Sequence, residues 1–429
     1  MNLPATSDGL PADRITAIDT EPVSARSLPE SLTSPARVKA AGWRLDDLWL
    51  PVVVLRERAL THNLDRFARW CREHDVDLAP HGKTTMAPQL WSAQLERGAW
   101  AITAATVAQA RIMRDNGVPR VLIANEVVEP GQLAWLSDAL ADPGFEPLSL
   151  VDSHDVVDVM ERYLASAPRP MPVLIELGVP GRRTGIRDTA EALDLAERVA
   201  RSSQLRLAGI EGYEGVLPQR RDDEAIENAR AWLSRLVELL NSADARGVFD
   251  GAEEAEEIVV TAGGSGYPDL VAEAFATIPA LSRPVRRVIR SGCYLTHDDL
   301  SYERSSPLRS GADPDPLLPA LSCYARVLSV PEPGRALLGV GKRDVSFDID
   351  LPVVRAVHRD GGRIPVDGQA RVIELNDHHG FCDTEPGLLR VGDVVELGLS
   401  HPCTVFDKWQ LIPVLDEHDR VIDAIRTVF

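Results

Sequence analysis

The chain has 429 residues, with 65 Asp and Glu against 46 Lys and Arg and a net charge of −19. That length predicts more than one core, and so acidic a surface repels phosphate backbones, which argues against nucleic-acid binding. It contains no run of about 18 apolar residues, which excludes a transmembrane helix, and its N-terminal stretch MNLPATSDGLPADR lacks the basic and apolar regions of a secretory signal.

Residues 1–47 are rich in Pro, Ser, Asp and Arg and read as an irregular N-terminal arm that partly joins a later β region. From Leu48 the pattern changes. Pro51–Leu55 predicts a strand, and the spacing of Leu60, Leu64, Phe67 and Trp70 predicts a helix after it. VDLAP is a short strand ending at Pro80. Strand-like WAITAAT, VPRVLIANE, EPLSLVDS, MPVLIELG, LRLAGIEGYEG, EEIVVTAGG and VRRVIRSGCY then alternate with helical runs, among them a long amphipathic one at 223–246. Roughly eight strand–helix units predict an α/β fold, a (β/α)8 TIM-type barrel over residues 48–312. An open doubly wound sheet is the alternative. Beyond 315 the helices stop, and short strand-like runs separated by Pro, Gly and Asp predict a mostly β C-terminal domain over 313–429. The five cysteines, Cys71, Cys293, Cys323, Cys382 and Cys403, are scattered with no CxxC. A reducing, cytoplasmic setting is therefore expected, not a disulfide framework.

Four motifs can carry chemistry. PHGKTT puts Lys83 just past a barrel strand, where the C-terminal ends of strands face an active site and a desolvated lysine can become a nucleophile. Taken alone, it reads equally as a surface lysine. TAGGSGYPD follows a late strand, and Gly263, Gly264, Ser265 and Gly266 can turn backbone N–H groups toward an anion. Arg290, Ser291, Gly292 and Tyr294 could complete that cradle. GRRTGIR offers Arg183 near the barrel mouth, and Tyr213 ends the following strand. SHPCTVFDKW sets His401 and Cys403 two apart, on one side of an extended segment; imidazole and thiolate suit zinc with open positions for water or substrate. A buried histidine beside an inert thiol is the plainer alternative there. His378 and His379 in LNDHHGF are further candidates in the same domain.

In this order, PHGKTT, RTGI, GGSG, SGCYLTHDD, LNDHHGF and SHPCTVFDKW resemble the D-serine dehydratase and D-threonine aldolase family of fold type III pyridoxal 5'-phosphate (PLP) enzymes, over roughly residues 48–425. The resemblance implies a cytoplasmic homodimer in which the β domain of one subunit closes the active site of the other. It implies Lys83 as the PLP lysine, Arg183 and Tyr213 in the cofactor pocket, Gly263, Gly264 and Ser265 as the phosphate loop, and Gly292 with Cys293 on its other side. Cys293 stands where a threonine or similar small polar residue is expected. His401 and Cys403 match metal ligands, with Zn2+ favoured by the thiolate, and His379 matches a histidine close to a small D-amino acid substrate. The implied activity is elimination of water from a D-3-hydroxy amino acid such as D-serine, giving a 2-oxo acid and ammonia. A D-threonine aldolase is the first alternative and a racemase the second; Cys403 tilts the choice toward dehydration.

Overall fold

A computed structural model describes residues 9–250, 257–366 and 368–429. Eight parallel strands form the first sheet: β1 (Asp77–Leu78), β2 (Ile102–Ala104), β3 (Arg120–Glu126), β4 (Glu146–Val151), β5 (Met171–Leu177), β6 (Leu205–Gly212), β7 (Ile258–Ala262) and β8 (Val285–Ile289). They follow one another in space, and β8 pairs with β1. Trp100 N–H donates to the Leu78 carbonyl (2.7 Å) and Thr103 N–H to the Pro80 carbonyl (2.9 Å). These bonds join β1 to β2 and close the curled sheet into a barrel, as the alternation of elements predicts. Small and branched side chains fill its interior, among them Ala79, Ala101, Leu122, Leu148, Leu174, Val259 and Val288.

The helices wrap the outside with one apolar stripe inward. In Glu57–Glu73 that stripe is Leu60, Leu64, Phe67 and Trp70, all buried. The crossover Asp223–Ala245 is the long amphipathic helix read from the sequence, started by Asp222, whose side chain accepts the Ala225 N–H (3.0 Å).

The second domain is one β sheet. Its strands are β9 (Leu321–Glu332), β10 (Arg335–Leu338), β11 (Val353–Arg359), β12 (Gly362–Pro365), β13 (Ala370–Leu375), β14 (Gly380–Thr384), β15 (Val394–Gly398), β16 (Leu411–Leu415) and β17 (Val421–Arg426). The main path runs β12-β11-β15-β9-β10-β14-β13. The strand Val52–Arg56, expected to open the barrel, lies instead in this sheet, antiparallel to β9 and parallel to β16. Its four apolar residues Val52 to Leu55 are buried on both faces, which suits either sheet. The N-terminal region is also more regular than its composition suggests. Ala12–Thr20 and Pro35–Ala41 are helices, and Val38 of the second packs with Val421 and Ala424 of β17. Among the described residues no helix is long and apolar enough to cross a membrane.

Candidate active site

The C-terminal ends of the barrel strands and one loop of the β domain enclose a cavity of about 410 Å3. Ten of the eleven residues that the resemblance assigns to the site line it: Lys83, Arg183, Tyr213, Gly263, Gly264, Ser265, Gly292, Cys293, His401 and Cys403. The exception is His379, which is exposed in the turn between β13 and β14 and lies outside the cavity of its own chain.

Lys83 sits in a single 3-10 turn, Gly82–Thr84, that ends the path of β1. It makes no hydrogen bond to another described residue, so its amine is available in the cavity. Beside it, His81 pairs its backbone with Thr103, and its Nδ1 is buried without a hydrogen-bond partner. Burial, and then the cations Lys83, Arg290 and Arg183, hold the His81 imidazole well below its ordinary pKa, so it is neutral. Across the floor, Gly292 touches His81 so closely that a Cβ there would lie 2.7 Å from the His81 carbonyl oxygen. Only glycine lets the ends of β1 and β8 meet.

The glycine turn after β7 forms one wall. Gly263 has φ +103°, a backbone that side chains rarely adopt. The Gly264 N–H donates to Glu214 Oε1 (2.9 Å), its carbonyl accepts from Ser291 Oγ (2.7 Å), and Cys293 N–H donates to Ser265 Oγ (3.3 Å). The N–H groups of Ser265 and Gly292 have no partner among the described residues. They are the donors left for an anion, whereas Gly264, expected in that role, is engaged by Glu214. Opposite, the Arg183 guanidinium stands 4.4 Å from the centre of the Tyr213 ring, a cation–π contact that braces both. Burial and the nearby Glu214 push the Tyr213 hydroxyl up to about 12, so it stays protonated. Orphan donors, a neutral imidazole, an unpaired lysine and an aromatic face suit a phosphorylated planar ring carrying an aldehyde.

The loop from the β domain is not extended, as the HxC spacing suggested. His401 has φ +51°, and Cys403 opens a short helix, Cys403–Phe406. The left-handed turn is held by Asp298, whose Oδ2 accepts the His401 N–H (3.0 Å). Both side chains still face the cavity. His401 Nδ1 is 2.5 Å from Asp348 Oδ2, and Thr404 Oγ1 donates to Asp348 Oδ1 (2.8 Å). Burial would raise the Asp348 carboxyl, but the Thr404 and His401 hydrogen bonds prevail and hold it below its ordinary pKa. A carboxylate on Nδ1 leaves Nε2 as the coordinating nitrogen, the usual support of a metal-bound histidine. Cys403 Sγ is 3.3 Å from Thr84 Oγ1 and 3.7 Å from Cys293 Sγ. An imidazole and thiols beside the lysine are a zinc-type donor set. Among the described residues, no three His, Cys, Asp or Glu side chains already stand as a cation cage.

Four residues of the site were not singled out in the sequence: His81, Thr84, Tyr302 and Asp348. His81 and Thr84 flank Lys83 and could have been read from strand-end position. Tyr302, whose hydroxyl donates to Cys293 Sγ (3.2 Å), and Asp348 come from segments with no motif.

An α/β barrel whose strand ends present a lysine and an anion cradle, capped by a β domain offering metal-type donors, defines a barrel enzyme of the alanine-racemase class. The comparisons agree. Residues 55–252 match the alanine racemase N-terminal domain family and residues 320–415 match the serine dehydratase domain family. The two matches fall on the barrel and on the β domain, in line with the resemblance to the D-serine dehydratase and D-threonine aldolase family read from the sequence. It is 26% identical over 361 residues to a D-threonine aldolase of Arthrobacter sp, covering 83% of this chain and 86% of the relative, which is a lyase. Two solved structures share the fold. D-threonine aldolase from Filomicrobium marinum has a TM-score of 0.75 at 24% identity, covering 90% of this chain and 97% of that one. D-threo-3-hydroxyaspartate dehydratase from Delftia sp. HT23 has a TM-score of 0.69 at 21% identity, covering 89% and 98%.

Proposed function

We propose that this chain is a PLP- and zinc-dependent lyase that eliminates water from a small D-3-hydroxy amino acid, giving a 2-oxo acid and ammonia. The observation that carries the reading is the meeting of Lys83, the Ser265–Gly292 cradle, His401 and Cys403 in one cavity. Bound there, PLP supplies an electron sink for negative charge at the substrate Cα. Zinc on His401 and Cys403 would supply Lewis acidity toward a β-hydroxyl.

The chain's own residues do the rest. Lys83 would hold the cofactor, and its Nζ would take the proton from the substrate Cα. The Ser265 and Gly292 N–H groups would hold the phosphate. Arg183, braced on Tyr213, lines the cavity where the cofactor ring would lie. Asp348 keeps the His401 ring turned with Nε2 outward. His379 is exposed on its own subunit; in the homodimer that the family resemblance implies, a second copy would carry it toward the facing cavity.

Cleavage of the Cα–Cβ bond to glycine and an aldehyde is the second reading, favoured by the aldolase relative. The test is incubation of PLP- and zinc-loaded enzyme with D-serine, D-threonine and D-threo-3-hydroxyaspartate, with Lys83→Ala as control. A 2-oxo acid with equimolar ammonia, absent from the control, is expected. Glycine with an aldehyde would replace elimination by the aldolase reaction, and no product from any substrate would overturn both.

A further inference from the structure

We propose that Cys293 is a third metal ligand, so that the metal sits in a Cys2His set made of Cys293, Cys403 and His401. The inference rests on the reading that this cavity holds zinc, and goes beyond it by adding a ligand from the barrel to the two from the β domain.

The geometry comes first. Two sulfurs bound to one tetrahedral zinc at about 2.3 Å each stand about 3.8 Å apart. Cys293 Sγ and Cys403 Sγ are 3.7 Å apart, although the residues are 110 positions apart in the chain. The two side chains come from different domains, one from the turn after β8 and the other from the Cys403–Phe406 helix. Nothing in local sequence brings them together.

The environment is the second strand of the argument. Cys293 uses its backbone and side chain separately: its N–H goes to Ser265 Oγ on the phosphate side, while its sulfur faces the other way, toward Cys403, Thr84 and Tyr302. The Tyr302 hydroxyl, 3.2 Å away, donates to that sulfur. A hydroxyl donating to a ligating sulfur is the kind of outer support that fixes metal-bound thiolates. Thr84 Oγ1 touches both sulfurs, at 3.3 and 3.8 Å. His401, with Nδ1 taken by Asp348, completes the set when its ring approaches the sulfur pair. Three protein ligands leave one tetrahedral position open, the arrangement a catalytic zinc needs to take a substrate oxygen. Both thiols lose their protons to solvent when the metal binds.

The remaining cysteines, Cys71, Cys323 and Cys382, lie outside the cavity, so sulfur signals from a bound metal report on this pair. The test uses PLP-loaded protein stripped of metal and titrated with Co2+. The wild type is expected to give a thiolate-to-cobalt charge-transfer band of two-sulfur height, halved per bound cobalt in Cys293→Ser and again in Cys403→Ser. Zinc affinity, read by chelator competition, should fall at least tenfold in Cys293→Ser. X-ray absorption on the zinc-loaded wild type needs no variant and should count two sulfurs. One sulfur per metal, or an unchanged band in Cys293→Ser, overturns the third ligand and leaves the two-ligand site standing. No cobalt or zinc binding by the wild type overturns that site as well. A Cys293–Cys403 disulfide in the metal-loaded protein also overturns the proposal.

Discussion

Replacing Arg290 by Met should unfold the barrel more easily, and the deficit should grow with pH. Arg290 and Glu211 form an ion pair of 2.5 Å with side chains only 3% and 1% exposed. The guanidinium also donates to Thr261 Oγ1 (2.8 Å) and to the Gly212 carbonyl (2.9 Å), which ties the ends of β6, β7 and β8 together under the cavity. Methionine keeps the length and removes the charge. Glu211 is then left buried with no partner, since its Oε2 has none already. Breaking a buried pair on one side costs about 3–5 kcal/mol. Burial raises the Glu211 carboxyl and Arg290 pulls it back, so the variant carboxyl lies higher still. An acid whose pKa is raised on folding stabilises fully below its unfolded value and loses that contribution as pH climbs toward its folded value, at up to about 1.4 kcal/mol per pH unit. The gap between wild type and Arg290→Met should therefore be smallest near pH 5 and widest near pH 9. Adding Glu211→Gln should remove most of that widening. Urea titrations followed by tryptophan fluorescence at four pH values measure both. A deficit below about 1 kcal/mol that runs parallel to the wild type across pH would refute the claim that this pair is buried and mutually required.

Two further outcomes follow from the same reasoning. Asp348→Asn should weaken zinc binding about 10–100-fold, because the His401 ring loses the carboxylate that orients it; competition with a chelator measures this, and an unchanged affinity would remove Asp348 from the site. Glu126 has both carboxylate oxygens buried without partners, and burial together with Glu176 raises its pKa. The wild type should thus lose stability as pH rises above the unfolded value, a loss that Glu126→Gln lacks. A variant more stable by about 1–3 kcal/mol at pH 8 and no better at pH 4.5 is expected from denaturant titrations, and equal pH profiles would mean that Glu126 finds a partner.

The barrel was legible because its units repeat: each strand is a short apolar run, each helix a stripe, and the alternation recurs until the ring closes. Lys83 was legible for the same reason, since a residue just past a barrel strand has its direction fixed by the fold. What failed depended on partners far away in sequence. Val52–Arg56 reads as a buried strand whichever sheet holds it, and only its pairing with β9 and β16 assigns it. The HxC spacing was right about the cavity and wrong about the backbone, because the Asp298 side chain pulls His401 into a left-handed turn from 103 residues away. Tyr302 and Asp348 act by reaching other residues' functional atoms, and no spacing within their own segments records that. His379 was read from resemblance alone, and its own chain leaves it outside.

The acidity of the chain bears on how the cavity could take a phosphate at all. A net charge of −19 opposes any anion at long range, and Glu126, Glu176, Glu211 and Glu214 lie at the same end of the barrel. The local chemistry reverses the sign. Burial raises Glu126 and Glu214, which favours their neutral forms, and Arg290 pairs with Glu211. Glu214 is the instructive case: its Oε1 takes the Gly264 N–H, so that amide is not free for a phosphate. The donors that remain, the Ser265 and Gly292 N–H groups with Lys83 and Arg183 lining the same cavity, must outweigh a repulsive surface over short distances. Water and salt screen the surface charges beyond about 8–10 Å, whereas donors inside a partly desolvated cavity are screened far less. The site therefore depends on a few fixed donors and neutralised acids, and the charge of the whole molecule works against it without deciding the outcome.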